Sequence, residues 1–122
     1  MTVPTRAIVL FAHGSRDPLW SRPMERVAQR IQERDPAVLV QCAFLEMMAP
    51  DLPGAVRTLV AAGAHSITVL PMFLGVGRHA REDLPRLMQA LAHEYPQTRF
   101  QVQPVIGDDP RLVDLMAAMA LS

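Results

Sequence analysis

Three stretches of this 122-residue chain are almost unbroken runs of apolar residues, and that continuity limits the fold more than any other feature. Ala7–Ala12 (AIVLFA), Val38–Leu45 (VLVQCAFL) and Ile67–Leu74 (ITVLPMFL) have the length of strands and are shorter than most helices. A strand with one wet face alternates apolar and polar residues. One that does not alternate is covered on both faces, as in parallel sheets. A fourth run, Phe100–Ile106 (FQVQPVI), does alternate and contains Pro104, which suits an edge strand.

The gaps between these runs carry helical spacing. Met24, Val27, Ala28 and Ile31 share one face, and Ala55, Val56, Leu59 and Val60 form a second stripe that Gly63 ends. Leu84, Leu87, Met88 and Leu91 form a third, with Asp83 as the expected N-cap and Pro85 in the first turn. Asp109-Pro110 opens a fourth, bearing Leu112, Val113, Leu115, Met116 and Met119. Strand and helix thus alternate four times without repeat or linker. The expected fold is α/β: one domain over residues 1–122, an open parallel sheet of four strands flanked by helices with right-handed crossovers. With the last strand at an edge, the simplest order is 2-1-3-4.

Composition removes several functions. Twelve basic residues balance twelve acidic ones, so no overall charge invites nucleic acid or an anionic membrane. All twelve bases are arginine. Without lysine the chain offers no Walker A loop, no Schiff-base nucleophile and no pyridoxal-phosphate anchor. Cys42 is the single cysteine and has no partner for an internal disulfide, which suits a reducing compartment. The MTVPTR start lacks a signal-peptide layout and no apolar run approaches transmembrane length, so a cytoplasmic, soluble protein is expected.

Ligands of such sheets bind at the carboxyl ends of the strands, where strand order reverses. The first strand delivers His13-Gly14-Ser15-Arg16 to that edge, the second Glu46, and the third Leu74-Gly75-Val76-Gly77-Arg78-His79. His79 is expected in a glycine-rich loop, and Gly14, Gly75 and Gly77 are expected to clear room for a large ligand. A lone histidine at a strand end is commonly structural, and Glu46 alone could serve the next helix. Two imidazoles on adjacent strand ends point to a site. His65 falls at the opposite, amino edge, and His93 in the last turn of the third helix, where a cation suits the dipole. Gly75-Val76-Gly77 lacks the third glycine of a dinucleotide fingerprint and follows the wrong strand. Two imidazoles and a carboxylate would hold a borderline divalent metal loosely and accept protons near neutral pH. Arg16, Arg78 and Arg81 are candidates for pairing with ligand carboxylates, against the plainer reading of solvated loop arginines.

VLFAHGSRDP, AFLEMMAP and VLPMFLGVGRHAREDLP, in that order, resemble the three motifs of the short CbiX/SirB-type sirohydrochlorin chelatases. The departures are slight: Met72 stands where a branched aliphatic is usual, and Leu84 replaces the common isoleucine. The resemblance implies an ATP-independent class II chelatase, without organic cofactor, that inserts a divalent metal into sirohydrochlorin. Cobalt would serve the anaerobic cobalamin route, iron would serve sirohaem, and nickel is used by similar short enzymes. It also implies that His13 and His79 handle the metal and accept protons, that Glu46 assists, and that Ser15 and Leu74-Gly75-Val76 contact the macrocycle. A single-lobe chain of this kind is expected to form a homodimer that rebuilds the cleft of two-lobed relatives. The same ligands would equally serve a non-catalytic metal or tetrapyrrole carrier. A histidine phosphatase, also built on a His-Gly pair after a strand, needs an arginine where Ala12 stands.

Overall fold

The computed structural model describes residues 5–122. Its elements in chain order are β1 (Thr5–Ala12), α1 (Arg22–Arg34), β2 (Leu39–Phe44), α2 (Leu52–Ala61), β3 (Ala64–Pro71), α3 (Arg78–Glu94), β4 (Arg99–Val102), a single 3-10 turn (Ile106–Asp108) and α4 (Pro110–Leu121). All four strands pair in parallel in the order β2-β1-β3-β4, as the alternation of apolar runs implies. Strand order reverses between β1 and β3, which therefore lie side by side at the centre of the sheet.

Most of the core lies on one face. Ala7, Val9 and Phe11 of β1 join Ile67 and Val69 of β3 and meet Leu52, Ala55, Val56 and Leu59 of α2 with Met88 and Leu91 of α3. Each large aliphatic or aromatic side chain buried there contributes about 1.5–3 kcal/mol. Asp51 starts α2 by accepting the Gly54 N–H at 2.9 Å, with Pro53 tolerated in the first turn. The opposite face is thinner: Ala12, Met24 and Phe44 form its buried cluster, and α1 buries Met24 alone. No residue of α4 is buried, and Leu115 and Met119 are 56% and 66% exposed.

Several boundaries differ from the sequence reading, three elements most of all. β3 starts and ends three residues early. The Met72 N–H still reaches the Phe11 carbonyl at 2.7 Å, but the next carbonyl, of Phe73, takes its proton from Gly107 and leaves the ladder. β4 stops at Val102 because Pro104 has no N–H with which to continue after Gln103 donates to Val69 at 2.9 Å. Helix α3 begins at Arg78 with Gly77 as its N-cap, not at Asp83, so Pro85 lies inside the helix. There it deprives the Arg81 carbonyl of its helical donor, a local loss set against burial of Ala80, Met88 and Leu91 on either side.

Candidate functional site

The carboxyl edge is assembled by backbone hydrogen bonds that run past the formal strand ends. Leu45 N–H donates to the Ala12 carbonyl at 2.9 Å and Glu46 N–H to the His13 carbonyl at 3.0 Å, so Glu46 is locked beside His13. The Glu46 carbonyl in turn accepts the Met48 N–H at 2.8 Å, across a Met47 held at φ 67°. Gly14, at φ 97°, packs its Cα against the Glu46 carbonyl so closely that any Cβ would overlap it. Its absent side chain therefore admits neighbouring backbone, not a ligand, contrary to the sequence expectation. Gly75 and Gly77 do face open space.

Strand parity explains the partner of His13. Alternation along β1 places Val9, Phe11 and His13 on one side, and along β3 it places Val69, Pro71 and Phe73 on the same side. The His13 and Phe73 rings meet with centroids 4.4 Å apart and planes tilted by 47°. This contact sits where strand order reverses. The sequence reading does not single out Phe73, although the period-two pattern continued past Pro71 carries the signal.

His79 reaches the same edge by another route. It lies in the first turn of α3, not in a loop, and is exposed. That turn holds Arg78, His79 and Arg81 and no acidic residue, so the positive end of the helix dipole adds to the side-chain charge. Arg78 is engaged within its helix, donating Nε to Glu82 Oε1 at 3.1 Å. Arg81 borders an apolar cavity of about 380 Å³, which Phe73, Val76, Ala80, Leu84 and Val105 also line. Leu74 is 65% exposed. Ser15 accepts the Asp17 N–H at 3.0 Å and so shapes the turn after His13, while Arg16 is exposed.

The structure thus joins His13 to Glu46 through backbone and places His79 on the same edge. Among the described residues, no three His, Cys, Asp or Glu side chains are grouped closely enough to hold a metal ion. The edge is an open one, with imidazole donors and an apolar recess, and differs from a closed structural metal cage. Cys42 lies elsewhere, half-buried on the α1 face. Burial first, and the charge of Glu25 second, push its thiol up from the ordinary value.

An open parallel sheet of order β2-β1-β3-β4 flanked by helices places the chain in the doubly wound α/β class, in which ligands bind at the strand-order reversal. The CbiX family model matches residues 7–121, and the chain belongs to that family. It is 37% identical over 82 residues to the sirohydrochlorin cobaltochelatase of Methanocaldococcus jannaschii, a match covering 67% of this chain and 57% of that one. Its fold superposes on a CbiX protein from Marinobacter aquaeolei VT8 with a TM-score of 0.79 and 31% identity, covering 94% and 93% of the two chains. The cobalt complex of the sirohydrochlorin chelatase SirB from Bacillus subtilis subspecies spizizenii gives a TM-score of 0.79 at 26% identity, over 95% of this chain and 50% of that one. The chain therefore spans just over half the length of the M. jannaschii relative and half that of SirB.

Proposed function

We propose that this chain inserts a divalent metal, cobalt first, into sirohydrochlorin without ATP. The observation that carries the reading is the pairing of His13 with Glu46 on the edge that His79 shares, beside an apolar recess at the strand-order reversal. The names of the M. jannaschii relative and of SirB, the latter holding cobalt, support the substrate and the metal. In the reaction the metal enters as two pyrrole N–H protons leave, so the site must release an ion and accept protons. His13 and His79 supply imidazole nitrogens for both tasks, and Glu46 stands by as a further acceptor. Gly75 and Gly77 leave the approach open, and Arg81 with Arg16 offers guanidinium partners to the substrate's carboxylates.

The active form in this proposal is a homodimer in the cytoplasm. The exposed apolar residues of α4 support a second copy as partner, with an isologous two-fold as the simplest symmetry. No described helix is long and apolar enough to cross a membrane.

The test is turnover. Under anaerobic conditions, protein at catalytic concentration should raise the initial rate of the absorbance change when sirohydrochlorin meets cobalt(II), with no nucleotide present. A stoichiometric complex without turnover overturns catalysis and leaves a carrier. Iron(II) and nickel(II) run side by side rank the metals, and light scattering after size exclusion reads the oligomer.

A further inference from the structure

We propose that Phe73 is a positioning residue whose ring sets the plane of the His13 imidazole, and that Gly107 locks Phe73 in place. Its bearing on turnover rests on the proposed role of His13.

An imidazole that handles metal is usually aimed by a hydrogen bond to its second ring nitrogen. Among the described residues no hydrogen bond reaches either ring nitrogen of His13, which is exposed. The defined contact of its ring is with Phe73, at 4.4 Å. Phe73 is itself immobilised. It is 2% exposed, and it stands edge-on to Phe11 at 5.8 Å and 72°. Its carbonyl accepts the Gly107 N–H at 3.0 Å. Gly107 presses on the following residue so tightly that a Cβ there would overlap the Leu74 carbonyl. A buried ring therefore stands tilted against an exposed one. Such a contact narrows the rotamers of His13 while leaving its one lone-pair nitrogen open, first to an incoming ion and, once the ion has passed on, to a departing proton. A hydrogen bond accepted at that nitrogen would have closed it to both.

Phe73→Leu removes the flat ring and keeps apolar bulk. Gly107→Ala leaves Phe73 in the chain and displaces its support. Leu59→Ala, in the same buried core but on α2 and outside the recess, is the control for packing loss. The His13 ring-proton resonances, assigned by their absence in His13→Ala, should carry an aromatic ring-current shift in the parent and lose it in Phe73→Leu. In cobalt insertion, Phe73→Leu should lower kcat by about ten- to a hundredfold and leave KM for sirohydrochlorin within about twofold. Gly107→Ala should move both readouts in the same direction, and Leu59→Ala neither.

Unmoved His13 resonances in Phe73→Leu overturn the proposal. So does a moved resonance with unchanged kcat, or an equal kcat loss in Leu59→Ala. Absence of turnover in the parent refutes the chelatase reading instead. The platform is then judged on the resonances alone, which support it if they move and overturn it if they do not.

Discussion

Each end of the sheet holds two of the four histidines, and the two pairs keep different company. At the amino end, His65 is the extra residue where pairing of β1 with β3 skips from Thr5–Ala64 to Arg6–Ser66, a bulge that disposes of one side chain. His93 closes the last turn of α3, where a cation meets the negative end of the helix dipole. Both positions have a reason in the backbone. At the carboxyl end, His13 follows the last residue of β1 and His79 occupies the helix terminus where a cation is least favoured. Neither stabilises its element. Residues placed against local preference are where function is expected to lie, and that contrast is what the following experiments attack.

The largest effect should come from His13→Ala and His79→Ala. General acid–base groups contribute about a hundredfold or more, so each variant should lose that much in the initial rate of metal insertion. Both side chains are exposed, so denaturant midpoints should stay near the parent's. A full rate in either variant would erase the distinction between the two ends.

The glycines give a second pair. Gly14 at the carboxyl end and Gly63 at the amino end have nearly equal φ, 97° and 96°. Alanine at Gly63 meets open space and adds only the left-handed strain, whereas at Gly14 it also runs into the Glu46 carbonyl. Gly14→Ala should therefore destabilise by about 1–3 kcal/mol in urea, more than Gly63→Ala, and slow insertion as Glu46 shifts. Gly63→Ala should leave the rate intact. Equal rate losses would mean that the two backbones matter alike.

Much of this was legible beforehand, and the misses have physical causes. Ala7–Ala12, Val38–Leu45 and Ile67–Leu74 lack alternation because helices cover both faces, and this alone led to a parallel sheet with β1 and β3 adjacent. Glu46 could be placed because parallel neighbours end at one level. The start of α3 was misread because Pro85 suggests a first turn, yet a proline inside a helix costs one donor and packing can outweigh it. Placing His79 in a loop followed from that. Phe73 escaped because contact across a strand-order reversal joins residues sixty apart, and hydrophobicity alone marks it as core.

The chain's last helix sharpens the comparison from the carboxyl side, since α4 hangs on the turn that supports Phe73. Its cap is Asp109, whose carboxylate accepts the Arg111 N–H at 2.8 Å and the guanidinium at 3.0 and 2.6 Å. The Arg111 side-chain hydrogen bonds, then the backbone one, lower the Asp109 carboxyl to about 2. A carboxyl lowered by folding contributes stability above its unfolded value and loses it as pH falls through the folded one. Hydrogen exchange at the Arg111 amide should thus keep its protection from neutral pH down to the ordinary carboxylate range and lose it on approach to pH 2. Asp109→Ala should remove that protection at neutral pH. Unchanged protection in the variant would show that the cap does not hold α4.

The smallest expected effect is the most exposed to contradiction. His65 borders a shallow recess with Val60, Glu94, Tyr95 and Thr98, at the far end of β3 from Phe73. His65→Ala keeps the bulge, because the backbone count that creates it is unaltered, and the side chain is exposed. Insertion rate should stay within about twofold of the parent, since a substitution away from buried or catalytic groups changes stability by about half a kcal/mol or less. The measurement is the same anaerobic cobalt assay, run beside His79→Ala at equal folded protein. If His65→Ala fell as far as His79→Ala, imidazole content rather than position would govern the rate. The strand-order reversal would then have no special claim on the chemistry.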